Sequence, residues 1–227
     1  MKLLDRIPFQ LALEALMTQV HVEPGSEDAA RLAHLLDLAL AAARPKAVFK
    51  VGYVEARGTE TVTINGVTFT SRVLRRNLDT IERVFFYIIT CGRELDSVPV
   101  ERGDFVQEFW RDAIKGNALA AAGAYLRDHL DRHYAVKKIS SMAPGSGEIE
   151  TWPIEQQRLL FSMFGDTERL MGVRLTDSFL MVPNKTVSGL FFPTQVDFVT
   201  CRLCSREKCA GRRAAYDRDF AQTYSIG

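Results

Sequence analysis

The sequence predicts an α+β fold. Three observations lead there. Helical periodicity dominates the first 44 residues, an Asn65-Gly66 pair divides two short β-branched runs, and the apolar run Val84–Ile89 precedes a long alanine-rich helical stretch. No internal repeat, low-complexity block or long linker divides the chain, which argues for one domain.

In chain order, Phe9, Leu13, Leu16 and Val20 recur at steps of three or four, which predicts a helix over Pro8–Val20. Pro24-Gly25-Ser26 breaks it, and Leu32, Leu35, Leu36, Ala39 and Leu40 define a second helix over Ala29–Ala43. Ser26 is its N-cap, with Glu27 and Asp28 in the first turn, and Arg44-Pro45 ends it. From Ala47 the period becomes two, through Val51–Ala56. Thr61–Ile64 and Val67–Thr70 then form a hairpin, because Asn65-Gly66 accepts the positive φ of a type I′ turn. Ser71 caps a short helix through Leu78. Val84–Ile89 has the length and continuous apolarity of a strand buried on both faces. Phe105–His133 is the longest helix, and the small side chains of Ala118, Ala120–Ala122, Gly123 and Ala124 let the sheet approach it closely. Ser140–Thr151, rich in Ser, Gly and Pro, reads as a loop. Helices follow at Pro153–Phe164 and Asp166–Met171, then a strand pair over Thr176–Val182 and Val187–Phe192. The expected organisation is one α+β domain over residues 1–199, its first 44 residues helical, followed by a Cys-containing segment over 200–227.

Composition narrows the function classes. Hydrophobic residues make up 47% and charged residues 25%, which excludes a disordered or coiled-coil chain. The 29 Lys and Arg against 28 Asp and Glu leave a net charge of +1, so bulk electrostatics gives no drive toward nucleic acid or an anionic membrane. No run reaches the ~18 apolar residues of a membrane span, and the expected location is the cytoplasm. Neither a Ser/His/Asp order nor a carboxylate pair proposes hydrolysis. His129 and His133 have a metal-binding spacing but stand among Asp128, Asp131 and Arg132, a solvated face.

Three of the four cysteines, Cys201, Cys204 and Cys209, crowd into one short basic segment. A two-residue spacing lets two thiolates face one ion from a tight turn, and the third closes one side of the site; Arg202, Arg206, Lys208, Arg212 and Arg213 favour the ionised thiol. The spacing fits zinc and an iron–sulfur cluster equally. Cys91, after the apolar strand, is either the fourth ligand or a small buried core residue. Ser140–Gly147 is either a binding loop, with glycines that permit close backbone approach and serines that supply hydroxyls, or a plain connector.

Four segments carry a resemblance: Ala143-Pro144-Gly145, Trp152-Pro153-Ile154-Glu155-Gln156-Gln157, Gly172–Ser178 and Met181–Gly189. With these the chain resembles the activation (reactivation) domain of cobalamin-dependent methionine synthase, and more closely the free-standing relatives associated with corrinoid methyltransferases. The resemblance covers most of the chain from about Leu38 onward. It implies a bent antiparallel sheet with flanking helices, S-adenosylmethionine in a shallow groove, and a partner cobalamin in the Co(II) state that reduction and methylation return to methylcobalamin. The implied partner is a corrinoid-binding protein or methyltransferase.

By the same resemblance Pro144 and Gly145 form the cofactor-binding turn and Asp177 is the acid after Leu-Thr. Ser141 and Ser146 stand where the family turn has Arg and Tyr, and Phe191 stands where the synthase branch has a tyrosine. A missing guanidinium–carboxylate bond is worth roughly 1.5–3 kcal/mol, so weaker S-adenosylmethionine binding is expected. Three functions follow: reactivation of, or docking on, a corrinoid protein; electron donation to Co(II) from an iron–sulfur cluster; or partner binding by a zinc-stapled module without catalysis.

Overall fold

The computed structural model describes residues 1–195, 198–209 and 211–224. Nine strands and seven α-helices are assigned among them. Order along the chain starts with a short strand β1 (Lys2–Leu4), helices α1 (Leu13–Val20) and α2 (Glu27–Ala42), and the long strand β2 (Lys46–Arg57). The hairpin β3 (Thr61–Ile64) and β4 (Val67–Thr70), helix α3 (Arg72–Asn77) and strand β5 (Arg83–Thr90) follow. After helix α4 (Phe105–Tyr134) come β6 (Ile139–Met142), α5 (Gln157–Ser162), α6 (Thr167–Met171), β7 (Arg174–Leu175), β8 (Met181–Val182), β9 (Thr186–Pro193) and α7 (Arg218–Thr223).

Seven strands make one antiparallel sheet in the order β4-β3-β2-β5-β9-β6, with β1 on β2. β2 changes partners along one edge: β1 pairs with Ala47–Phe49, and β3 pairs with Val54–Arg57 through a register irregularity between Val54 and Ala56. Such irregularities sharpen twist, and here the sheet curls. Asn65 and Gly66 take φ of 47° and 77°, the conformation that the hairpin turn needs. Ser71 accepts a hydrogen bond from the Leu74 amide at 2.9 Å and caps α3, while Ser26 accepts from Ala29 at 3.1 Å and caps α2.

β5 is buried on both faces. Val84, Phe86 and Ile88 join a core with Phe69, Trp152, Leu160, Leu190 and Phe192; Phe85, Tyr87 and Ile89 join another with Ala122, Leu126, Leu130 and Phe191. A third core gathers α1, α2 and the start of α4 around Leu32, Leu36, Trp110 and Ile114. This explains the 30-residue length of α4: its first half packs on helices and its second half on the sheet. Asp104 caps its start with hydrogen bonds from the Val106 and Gln107 amides, both 3.0 Å.

Four expectations differ from the structure. The first helix starts at Leu13, and Lys2–Leu4 ahead of it is a strand whose short run carries no period of its own. Ser140–Met142, expected in a loop, belongs to β6 because the exposed edge of β9 pairs with it. Pro153–Phe164 contains a 3₁₀ turn (Ile154–Gln156) before α5. β9 pairs with β5 and β6 rather than with 176–182, whose Met181–Val182 instead pair with Arg174–Leu175 as the β7–β8 ribbon. Behind β9 the Cys-containing segment is tied to the first core through Leu203, Ala221 and Tyr224.

Gly189 sets the spacing of β5, β9 and β6. It faces Tyr87 in register, and a Cβ there would lie 2.5 Å from the Met142 carbonyl oxygen and 2.6 Å from the Tyr87 hydroxyl. Gly189→Ala is therefore expected to destabilise the fold by about 1–3 kcal/mol through overpacking. Urea denaturation measures it, and an unchanged midpoint would contradict the close approach.

Candidate functional site

Where α4 passes over β5, β9 and β6, it presents Ala120, Gly123, Ala124 and Arg127, residues at three- and four-step spacing on one helical face. The small side chains leave the sheet uncovered, and a cavity of about 600 Å³ results. Its floor carries Tyr87 of β5, Ser188 and Phe191 of β9, and Ser141 of β6. Pro144 and Ser146 of the following turn form one end, and Thr200 and Arg213 of the Cys segment reach in as a wall. Four of the sequence-predicted residues, Ser141, Pro144, Ser146 and Phe191, are thus gathered on one groove.

The floor is ordered by stacking. The Tyr87 and Phe191 rings lie 4.1 Å apart between centroids with a 23° interplanar angle, and the Arg127 guanidinium sits over the Phe191 ring, 4.9 Å from its centroid. Burial pushes the Tyr87 phenol up, against the pull of Arg127, a hydrogen bond with Ser141, and Arg213. A phenol and two guanidiniums therefore converge where the sequence, read by motif, had Phe191 and Ser141 in place of Tyr and Arg. Tyr87, Arg127 and Arg213 were outside the sequence-predicted set. Tyr87 hides in an apolar run, yet its hydroxyl is that run's one polar group, and Arg127 lies on the helical face of Gly123 and Ala124.

Other predicted residues lie elsewhere. Gly145 makes the turn beside the groove rather than its lining: its amide donates to the Trp152 carbonyl at 2.8 Å, its φ is +76°, and a Cβ would come 2.9 Å from Ile154. Any substitution there strains the turn. Asp177 is fully exposed in the β7–β8 turn, 3.9 Å from Arg158, and does not line the groove.

Nor are the cysteines brought together as one set. Cys91 is fully buried among the α1, α2 and α4 side chains beside the Thr90–Thr186 pair, whereas Cys201 follows the opposite end of β9. Cys204 is buried and Cys209 exposed. Among the described residues no three His, Cys, Asp or Glu side chains assemble into a set able to hold a metal ion. Cys91 thus stands apart from the Cys segment, beyond the opposite end of β9.

A crystal structure of the MetH reactivation domain bound to AdoHcy superposes with a TM-score of 0.61, over 88% of this chain and 81% of that one, at 15% identity. The fold is that of the methionine synthase reactivation domain, as the sequence resemblance implied. No family model and no curated protein sequence matches the chain. Among the described residues no helix is long and apolar enough to cross a membrane.

The thiols differ in chemistry. Burial pushes Cys91 up to about 12. At Cys201 partial burial opposes ionisation, but hydrogen bonds from the Arg213 and Ala214 amides and the Arg213 charge outweigh it and lower the pKa; the Arg213 amide is 3.4 Å from the sulfur. Iodoacetamide labelling followed by mass spectrometry is expected to modify Cys201 at a lower pH than a free cysteine and Cys91 only after unfolding. Equal labelling of the two in the native protein would contradict their placement.

Proposed function

We propose that this chain is an accessory protein of corrinoid-dependent methyl transfer, which docks on a corrinoid protein, holds an adenosyl ligand in the α4–β9 groove and helps return Co(II) corrinoid to the active cycle. One observation carries the reading: the groove gathers Ser141, Pro144, Ser146 and Phe191 on the fold of a reactivation domain whose crystal structure contains AdoHcy. The residues suit such a ligand. Arg127 and Arg213 match a carboxylate, the Tyr87, Ser141 and Ser188 hydroxyls supply hydrogen bonds, and Ala120, Gly123, Ala124 and the Phe191 ring offer an apolar wall.

S-adenosylmethionine, when bound, supplies an electrophilic methyl group and leaves as S-adenosylhomocysteine. The chain's own part is to bind and orient: a guanidinium fixed over Phe191 loses little freedom on gripping a carboxylate. The near-neutral chain brings the partner to the groove's mouth by shape and a few apolar contacts. Ile154, Leu180 and Val182 are exposed on the ribbon and turn beside it, a surface of that kind.

Gly123 provides a test with little strain. It lines the groove, lies in a helix, and a Cβ there would meet nothing within 4 Å. Gly123→Leu fills the ligand space while raising helix propensity by up to about 1 kcal/mol, so stability is expected to hold or rise. Calorimetry with S-adenosylhomocysteine should show binding to the wild type and none to the variant, and anaerobic pull-down with the corrinoid protein should show the same partner retained by the wild type. Undiminished ligand binding by a folded Gly123→Leu protein would overturn the groove as the site.

A further inference from the structure

Gln157, the first residue of α5, is 97% buried, yet its amide nitrogen has no hydrogen-bond partner among the described residues. A buried donor left unmade is costly, and such groups persist where something outside the fold completes them. Gln157 lines the groove. It also lines a second cavity of about 620 Å³, on the far side of Pro144 and Met181, bounded by the β7–β8 ribbon and by Asn184 and Thr186. Pro144, Gln157 and Met181 belong to both cavities, so the two chambers meet at this unpartnered amide.

The chambers differ in charge. The first has Arg127 and Arg213 and no acidic side chain among its described lining residues; both arginines recur, with Ser141, around a smaller cavity of about 140 Å³ at its end. Arg127 has no hydrogen-bond partner among the described residues beyond its place over Phe191, which leaves its N–H donors free. In the second chamber the charged groups are Asp96 and Lys115, already joined to each other at 2.5 Å. An elongated ligand entering this pair of chambers meets a cationic end with the free N–H donors of Arg127 and with Arg213 beside Cys201, a central donor, and a neutralised apolar end.

We infer that the two cavities form one continuous site for an elongated small molecule that carries an oxyanion, carboxylate or phosphate, between Arg127 and Arg213 and accepts a hydrogen bond from the Gln157 amide where the chambers meet. This rests on the groove being the working site, and it deepens that reading by naming the ligand's chemistry and a binding residue, Gln157, to which the resemblance gave no role.

Calorimetry on the intact chain tests it with two pairs of probes that differ in the oxyanion: S-adenosylhomocysteine against methylthioadenosine, and adenosine monophosphate against adenosine. In the wild type the oxyanion-bearing member of at least one pair should bind roughly tenfold tighter or more, and which pair does so separates carboxylate from phosphate. Arg127→Gln with Arg213→Gln should remove that advantage. Equal affinities within both pairs, or an advantage the double variant keeps, would overturn the oxyanion end. Gln157→Leu should weaken every bound probe yet raise the thermal midpoint of the free protein, since the unmet donor is gone. A lower midpoint with unchanged affinity would overturn its role. If no adenosyl probe binds, the adenosyl reading fails by itself. The oxyanion site is then decided by anilinonaphthalene sulfonate: fluorescence lost in the double arginine variant supports it, and fluorescence kept overturns it.

Discussion

The constraint on which the rest depends is that β5 and β9 are apolar on both faces. Phe85, Tyr87, Ile89 and Phe191 on one side and Val84, Phe86, Ile88, Leu190 and Phe192 on the other all need cover, and each fully buried side chain of this size contributes about 1.5–3 kcal/mol. Trp152, α5 and α6 cover one face. On the other, α4 does so with Leu126 and Leu130 toward its end, but with Ala120, Gly123 and Ala124 nearer its middle. Cover is complete in one place and thin in the next. The groove is what the thin stretch leaves, and its floor is held flat by the Tyr87–Phe191 stack because Gly189 permits the close approach of three strands.

Much of the fold was legible because local chemistry and tertiary demand agree. The Asn65-Gly66 hairpin, the Ser26 and Ser71 caps, β5 and the long α4 all carry strong local signals, and each stands where expected within a residue or two. What was not legible depends on a partner distant in sequence. Lys2–Leu4 is a strand only because β2 offers an edge, and Ser140–Met142 only because β9 does. The β9 strand was visible as a run, but nothing local says that it pairs with β5 rather than with the segment just before it.

The site divides along the same line. Ser141, Pro144, Ser146 and Phe191 were marked by motif and do share the groove, while Gly145 shapes the turn, and Asp177 and Cys91 lie outside it. Tyr87, Arg127, Arg213 and Gln157 come from four separate elements and had no common motif to mark them. Their convergence sets two guanidiniums and a phenol in the same cavity as Ser141 and Phe191, the two motif positions that lack them. The Cys segment gains a structural role from this: Thr200 and Arg213 wall the groove, and Leu203, Ala221 and Tyr224 anchor that wall in the core.

The central claim is that the α4–β9 groove is where this protein meets its ligand. Hydrogen exchange measured by mass spectrometry, with and without saturating S-adenosylhomocysteine, addresses it most directly. The account predicts slowed exchange concentrated in residues 119–127 of α4 and 141–147 of the β6 turn, with the exposed end of α4 near Phe105 and Phe109 unchanged. Protection confined to other segments, or none at all under conditions where calorimetry detects binding, would contradict it.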